Sequence, residues 1–339
     1  MTSAAGFTIG LDGIGRLGRG LSRPENVLGF RDGTVFASSN RGHITRIMPD
    51  GAQVEFGDLP GGQPTTMALE SDHALIVNNT ADGNLYRLRF DGVHELYLDA
   101  IDGEPIGSAN YVFRDGRGRL WIAVATRRSP PHQQIIVEPD GYIAVVDEEG
   151  PRIVADGLFW PNEIRFDADQ RFAYVPETFG RRVMRFEVGD DAVLRNRRVW
   201  GPDPLSETSA PDGIALDADG NVWVAIISRN GLVIIDGSGD AHTVFEDPND
   251  VALRVWLKHF DSGVIPMSAI RDCAGPRLQL PTSVGFCGQD LRTVVMGSLA
   301  MSSLLTFRSP TAGLPLAHQA RPQAPPQPTV AVRPRIVDS

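Results

Sequence analysis

The chain has 339 residues, of which 42% are hydrophobic and 22% charged, and its formal net charge is −10. This describes a globular protein with a real core, and the acidic balance argues against a nucleic-acid surface while suiting a bound cation. No run approaches the ~18 apolar residues of a membrane span, and the N-terminus has no basic start followed by an apolar stretch, so neither a membrane segment nor a signal peptide is expected. Cys273 and Cys287 are the only cysteines. Two are too few for a disulfide framework, and their spacing is not that of a zinc site, so free thiols and a reducing, cytoplasmic setting are expected.

In chain order, GLDGIGRLGRG (10–20) has the glycines of a dinucleotide fingerprint but no βαβ context, and residues 1–20 are taken as an N-terminal segment. Similar units then begin at GFRDGTVF (29–36), LESDHALIV (69–77), VFRDGRGRLWIAV (112–124), RFDADQRFAYV (165–175), ALDADGNVWVA (215–225) and GFCGQDLRTVVMGS (285–298). Each unit reads apolar strand, acidic or Gly turn, aromatic-rich strand, polar turn, third strand. A fourth strand is available in the gaps, as in QVEF (53–56) and AHTVF (241–245). Repeats roughly 40 to 50 residues apart, except the last, which comes about 70 after the fifth, with several strands each, are the pattern of propeller blades. The predicted fold is all-β, a six-bladed β-propeller over 21–316 with a short helical lid insertion before blade six. In that insertion, DPNDVALRVWLKHFDSG (247–263), Asn249 or Asp250 can cap a helix. Residues 317–339 are Pro-rich and are expected to be a disordered tail.

In a propeller the loops leading into the innermost strands meet at the central channel. The acidic residue of each first turn serves as a ruler. Asp212 lies five residues before Asp217, Asn162 five before Asp167 and Asn110 five before Asp115. The same slot holds Thr65 in blade two and Thr282 in blade six, and blade one offers Glu25 just ahead of its first strand. Glu25, Asn110, Asn162 and Asp212 are all oxygen donors, which suits a hard divalent cation better than zinc or copper. Asn and Asp after Pro, as at Pro161-Asn162 and Pro211-Asp212, are also ordinary turn formers, and convergence in one register favours the ligand reading.

The segments FWPNEIRFDADQRFAYV (159–175), APDGIALDADGNVWVA (210–225) and LPTSVGFCGQDLRTVVMGS (280–298) resemble the gluconolactonase/regucalcin family of six-bladed, metal-dependent hydrolases. The likeness spans roughly residues 22 to 316. It implies that Glu25, Asn110, Asn162 and Asp212 bind one divalent metal and the substrate, with Ca²⁺ expected first and Mg²⁺, Mn²⁺ or Zn²⁺ also accepted. It also implies that Asp212 is a general base. Glu163 stands where the family usually has Gly, and Cys287-Gly288 where it has a Gly pair. Ser108 stands where sugar-lactone enzymes often place an Arg, which puts aldonolactone specificity in doubt.

The function expected is therefore a metal-dependent lactonase of small molecules, a carboxylic ester hydrolase with Asp212 and Asn110 as catalytic residues. Ser108, Trp160 and Thr282 are expected to meet the substrate. Ester or phosphotriester hydrolysis at the same centre, a noncatalytic binding scaffold, and a strictosidine-synthase-like propeller using Glu177 are the alternatives. The seven His residues show no paired metal spacing, and neither a G-x-S-x-G elbow nor a phosphate-binding loop occurs. No nucleic-acid or membrane partner is expected, and oligomeric state is not legible.

Overall fold

The computed structural model describes residues 4, 6–128, 134–320 and 324. Five four-stranded antiparallel sheets follow one another over 27–56, 64–98, 108–158, 165–200 and 211–245. A sixth combines Pro281–Cys287, Thr293–Ser298 and Leu304–Arg308 with Gly15–Leu17. QVEF and AHTVF are the outer strands of blades one and five, as expected. Gly15–Leu17, placed by the sequence reading in a separate N-terminal segment, instead supplies the outer strand of blade six. The ring thus closes by pairing the start of the chain with its last blade, which satisfies an open sheet edge.

Each blade buries both faces against its neighbours, so a middle strand such as Leu120–Thr126 is buried along its whole length. This is why such strands read as unbroken apolar runs rather than alternating ones. Six cores fill the six gaps, among them Trp121 against Phe166 between blades three and four, and Trp223 against Phe286 between blades five and six. The acids used as a ruler are structural. Asp217 accepts from the Asn221 backbone N–H and from Trp223 Nε1 (2.9 Å), and Asp115 accepts from the Arg119 N–H and Trp121 Nε1 (2.9 Å). Each ties its turn to the indole buried in the next strand.

The inner strands all start on one face of the ring, and four antiparallel strands bring each blade back to it. The connection after blade five therefore lies over that face. Helix α1, Asp250–Asp261, is capped by Asn249, whose side chain accepts from the Ala252 N–H (3.3 Å). A strand at Val264–Pro266 and a second helix α2, Met267–Asp272, complete the insertion. The strand pairs with Gln134–Ile136 from blade three, and the cap packs Leu253, Trp256, Ile265 and Ile270 onto Phe179, Ile227 and Leu280 from blades four to six.

On the opposite face the chain after blade six runs back to the axis. Residues 317–320, assigned by sequence to the tail, form a 3₁₀ turn there. His318 and Gln319 bond the Gly29 carbonyl (2.9 and 2.8 Å), and Gln319 also donates to the Phe286 carbonyl. Burial holds the His318 imidazole at about 4, hence neutral. A cavity of about 40 Å³ remains above this plug, walled by Met67, Tyr111, Phe113, Arg165 and His318. The rest of the expected tail lies outside the described residues apart from Ala324.

Candidate metal centre

The register slot read from the sequence coincides with a recurrent backbone irregularity. In blades two, three, five and six the pairing of the inner strand slips between Pro64 and Thr66, Ala109 and Tyr111, Pro211 and Ile214, and Pro281 and Val284. Thr65, Asn110, Asp212 and Thr282 therefore sit in bulges, the device that re-aims a side chain out of the ladder. In blade one the first turn opens at Phe30, whose N–H donates to the Thr34 carbonyl just as Asp217 donates to that of Asn221. Glu25 lies five residues before Phe30 and so holds the same slot, although no acid marks the turn.

The structure brings the four oxygen donors together. Asn110 Nδ2 donates to the Asn162 carbonyl (3.3 Å), the Asn162 side chain hydrogen-bonds Asp212, and Glu25 acts electrostatically on Asp212. Glu25 and Asn162 are held by further hydrogen bonds. The Glu25 carbonyl accepts from the hydroxyls of Thr282 and Ser283 (3.0 Å for the latter), and a Cβ at Gly297 would press onto the same carbonyl, so only Gly fits there. Thr178, which the sequence reading missed, accepts from Asn162 Nδ2 (3.4 Å) and donates to the Pro211 carbonyl (2.8 Å), linking two slots. Glu177 is wholly buried and fully engaged by Arg182 (2.7 Å), Arg197 (2.7 Å) and the Phe159 N–H (3.0 Å). It anchors the loop that carries Asn162.

The electrostatics are unusual. Burial, then the charges of Glu25 and Glu163, hold the Asp212 carboxyl well above the ordinary carboxylate range, against the pull of the Asn162 hydrogen bond and Arg23. Burial also raises Glu25, opposed by its ion pair with Arg23 (2.9 Å). Glu163 occupies the channel just below, between Arg165 (3.2 Å) and the Ile214 N–H (3.1 Å), and burial pushes its carboxyl up to about 7. A Cβ at Gly213 would meet Glu163 and Ser283, so the smallest residue lets this third carboxyl in. Three carboxyls thus share two guanidiniums, and among the described residues Asp212 is the one with no ion pair of its own. Two carboxylates and two carboxamides with such a deficit of positive charge suit a hard divalent cation. Among the described residues no three His, Cys, Asp or Glu side chains form a metal-holding group, so any ion would rely on the two amides.

The expected substrate residues are placed less openly. Ser108 is buried and donates to the Arg128 carbonyl (3.3 Å), and the Thr282 hydroxyl donates to the Glu25 carbonyl. Trp160 lies at φ +58° and packs edge-on against Phe179 (5.3 Å) at the margin of the cap. Cys273 and Cys287 are free and buried.

Fold and site together define a six-bladed propeller with an oxygen-donor centre at one mouth of its channel. The SMP-30/gluconolactonase/LRE-like region matches residues 31–257, more than half of the chain, and the protein belongs to that family. The match leaves Glu25 and blade six outside it. Relatives include the diisopropyl-fluorophosphatase of Loligo vulgaris, 24% identical over 212 residues that cover 58% of this chain and 67% of that protein. The 6-deoxy-6-sulfogluconolactonase of Pseudomonas putida is 21% identical over 250 residues, covering 71% and 74%. Among solved structures, the regucalcin of Agrobacterium tumefaciens superposes with a TM-score of 0.61 at 17% identity, covering 88% of this chain and 95% of that one. That likeness establishes the fold. Of the two sequence relatives, one is named a fluorophosphatase and the other a lactonase. No helix among the described residues is long and apolar enough to cross a membrane.

Proposed function

We propose that the protein is a metal-dependent lactonase that opens a small-molecule lactone, with Glu25, Asn110, Asn162 and Asp212 holding one divalent cation. The observation that carries this reading is the meeting of these four donors in equivalent slots of four blades. Calcium is the first choice, since the donors are all hard oxygens and the regucalcin neighbour is described as calcium-binding; Mg²⁺, Mn²⁺ and Zn²⁺ are alternatives. The bound ion would supply Lewis acidity to polarise the lactone carbonyl. Asp212 takes the proton from the attacking water, and its raised proton affinity favours that role once the neighbouring charges are balanced. Water adds to the acyl carbon, the ring C–O bond breaks, and the proton is returned to the leaving alkoxide, giving the hydroxy acid. Asn110 and Asn162 orient the substrate, and Trp160, Ser108 and Thr282 line the approach.

Hydrolysis of phosphotriesters or aryl esters at the same centre is the second reading, favoured by the diisopropyl-fluorophosphatase relative. The free buried thiols support a cytoplasmic location. A panel of lactones, aryl esters and phosphotriesters, assayed with metal-stripped protein and with single ions restored, tests the proposal. Lactone turnover that disappears on stripping and returns with calcium is expected. Turnover indifferent to stripping would sink the metal centre, and calorimetry showing no ion binding at all would favour the scaffold alternative.

A further inference from the structure

The channel holds two ion pairs of different character. Arg165 and Glu163 are almost wholly enclosed, with side-chain exposures of 5% and 3%, so neither can leave the other without stranding a buried charge. Arg23 and Glu25 pair at 2.9 Å nearer the mouth, where the guanidinium is 32% exposed and the carboxylate 15%. Arg23 can swing into water; Glu25 cannot.

The backbone around this outer pair is held on every side. Leu21 N–H donates to the Ser302 carbonyl (3.0 Å), Asn40 N–H to the Ser22 carbonyl (3.1 Å) and Ser298 N–H to the Pro24 carbonyl (2.8 Å). Between these ties Arg23 is forced to φ +49°, although the following proline favours an extended residue there. Arg23 therefore starts each excursion from a fixed point, and Glu25 stays aimed at Asp212. The guanidinium acts electrostatically on both Glu25 and Asp212. The guanidinium lies on Oε2 of Glu25, and a divalent ion on the same carboxylate would repel it as a like charge, so each weakens the hold of the other.

We propose that Arg23 is an internal counter-cation that occupies Glu25 until a divalent ion displaces it, so that its charge sets the ion affinity of the centre. This rests on the metal centre proposed above. In the absence of an ion the pair holds Glu25 oriented and opposes the effect of its burial. When the ion enters, the guanidinium turns out toward the mouth, and the cost of that exchange is subtracted from the affinity.

Calcium titration calorimetry on the full chain tests this. Arg23→Gln removes the charge and should bind calcium roughly tenfold more tightly than wild type. Arg23→Met keeps the aliphatic stem and serves as a second uncharged variant should Gln misfold, while Arg23→Lys, which keeps the charge, should stay close to wild type. Wild type that binds calcium while both uncharged variants bind equally or more weakly overturns the role of Arg23 alone. Wild type that binds none of Ca²⁺, Mg²⁺, Mn²⁺ or Zn²⁺ overturns the centre, and this inference with it.

Discussion

Glu163→Gln isolates the third carboxyl of the channel. In the fold this group ionises at about 7, against about 4.5 ordinarily, because burial outweighs the help of Arg165 and the Ile214 N–H. The folded state therefore prefers the neutral carboxyl. Its contribution to stability is whole below about pH 4.5 and is lost as the pH rises through about 7. Between pH 5 and pH 8 the ion-free wild type should lose between about 2 and 3 kcal/mol from this group alone. Gln mimics the neutral form, keeping an acceptor for Ile214 and Arg165, so the variant should lose little over the same range. Asp212 and Glu25 are also raised and give the same sign, but they are present in both proteins and largely cancel in the difference. Urea unfolding at a series of pH values in chelator measures it: the gap between variant and wild type should widen with pH in favour of the variant. Parallel stability curves would refute the reasoning, because they would mean that Glu163 is already ionised in the fold at pH 5.

Asp212→Ala should abolish both calcium binding and turnover while leaving the ion-free urea midpoint unchanged or higher, since it removes a buried carboxyl with no ion pair; calorimetry and rate measurements check this, and an active variant of normal affinity would contradict the ligand role. Thr178→Val deletes the hydroxyl shared by Asn162 and the Pro211 carbonyl, and should cost about 1 to 2 kcal/mol in urea unfolding and weaken ion binding about tenfold. Trp256→Ala empties the centre of the cap, where the indole is fully buried and stacked on Phe260 (5.4 Å). A loss of about 3 to 5 kcal/mol falls on the cap rather than on the blades, so limited proteolysis should cut within 247–280 and spare the propeller.

How much of the site was legible follows from the range over which each feature is determined. The slot occupied by Asn110, Asn162 and Asp212 is set by a turn five residues away, and the bonds from its Asp to nearby backbone N–H groups are local, so a ruler laid along the chain could find it. Glu25 was harder because its turn opens at Phe30 rather than at an acid. The substitution of Gly by Glu163 was visible, but its consequence was not, since the fate of that carboxyl depends on Arg165, on the space left by Gly213 and on burial in the channel.

By itself the sequence determined the all-β class, the number of blades, the helical insertion with Asn249 or Asp250 as its cap and the oxygen character of the donors, because strand periodicity, turn chemistry and helix capping act within one unit. Only the tertiary structure decided that Arg23 neutralises Glu25, that Thr178 braces Asn162, that residues 15–17 close the ring and 317–320 plug its far end, and that 134–136 pairs with the cap. The last three join segments far apart in the chain, and the first two depend on side-chain directions that a register along the chain does not give, so no pattern confined to one repeat encodes them.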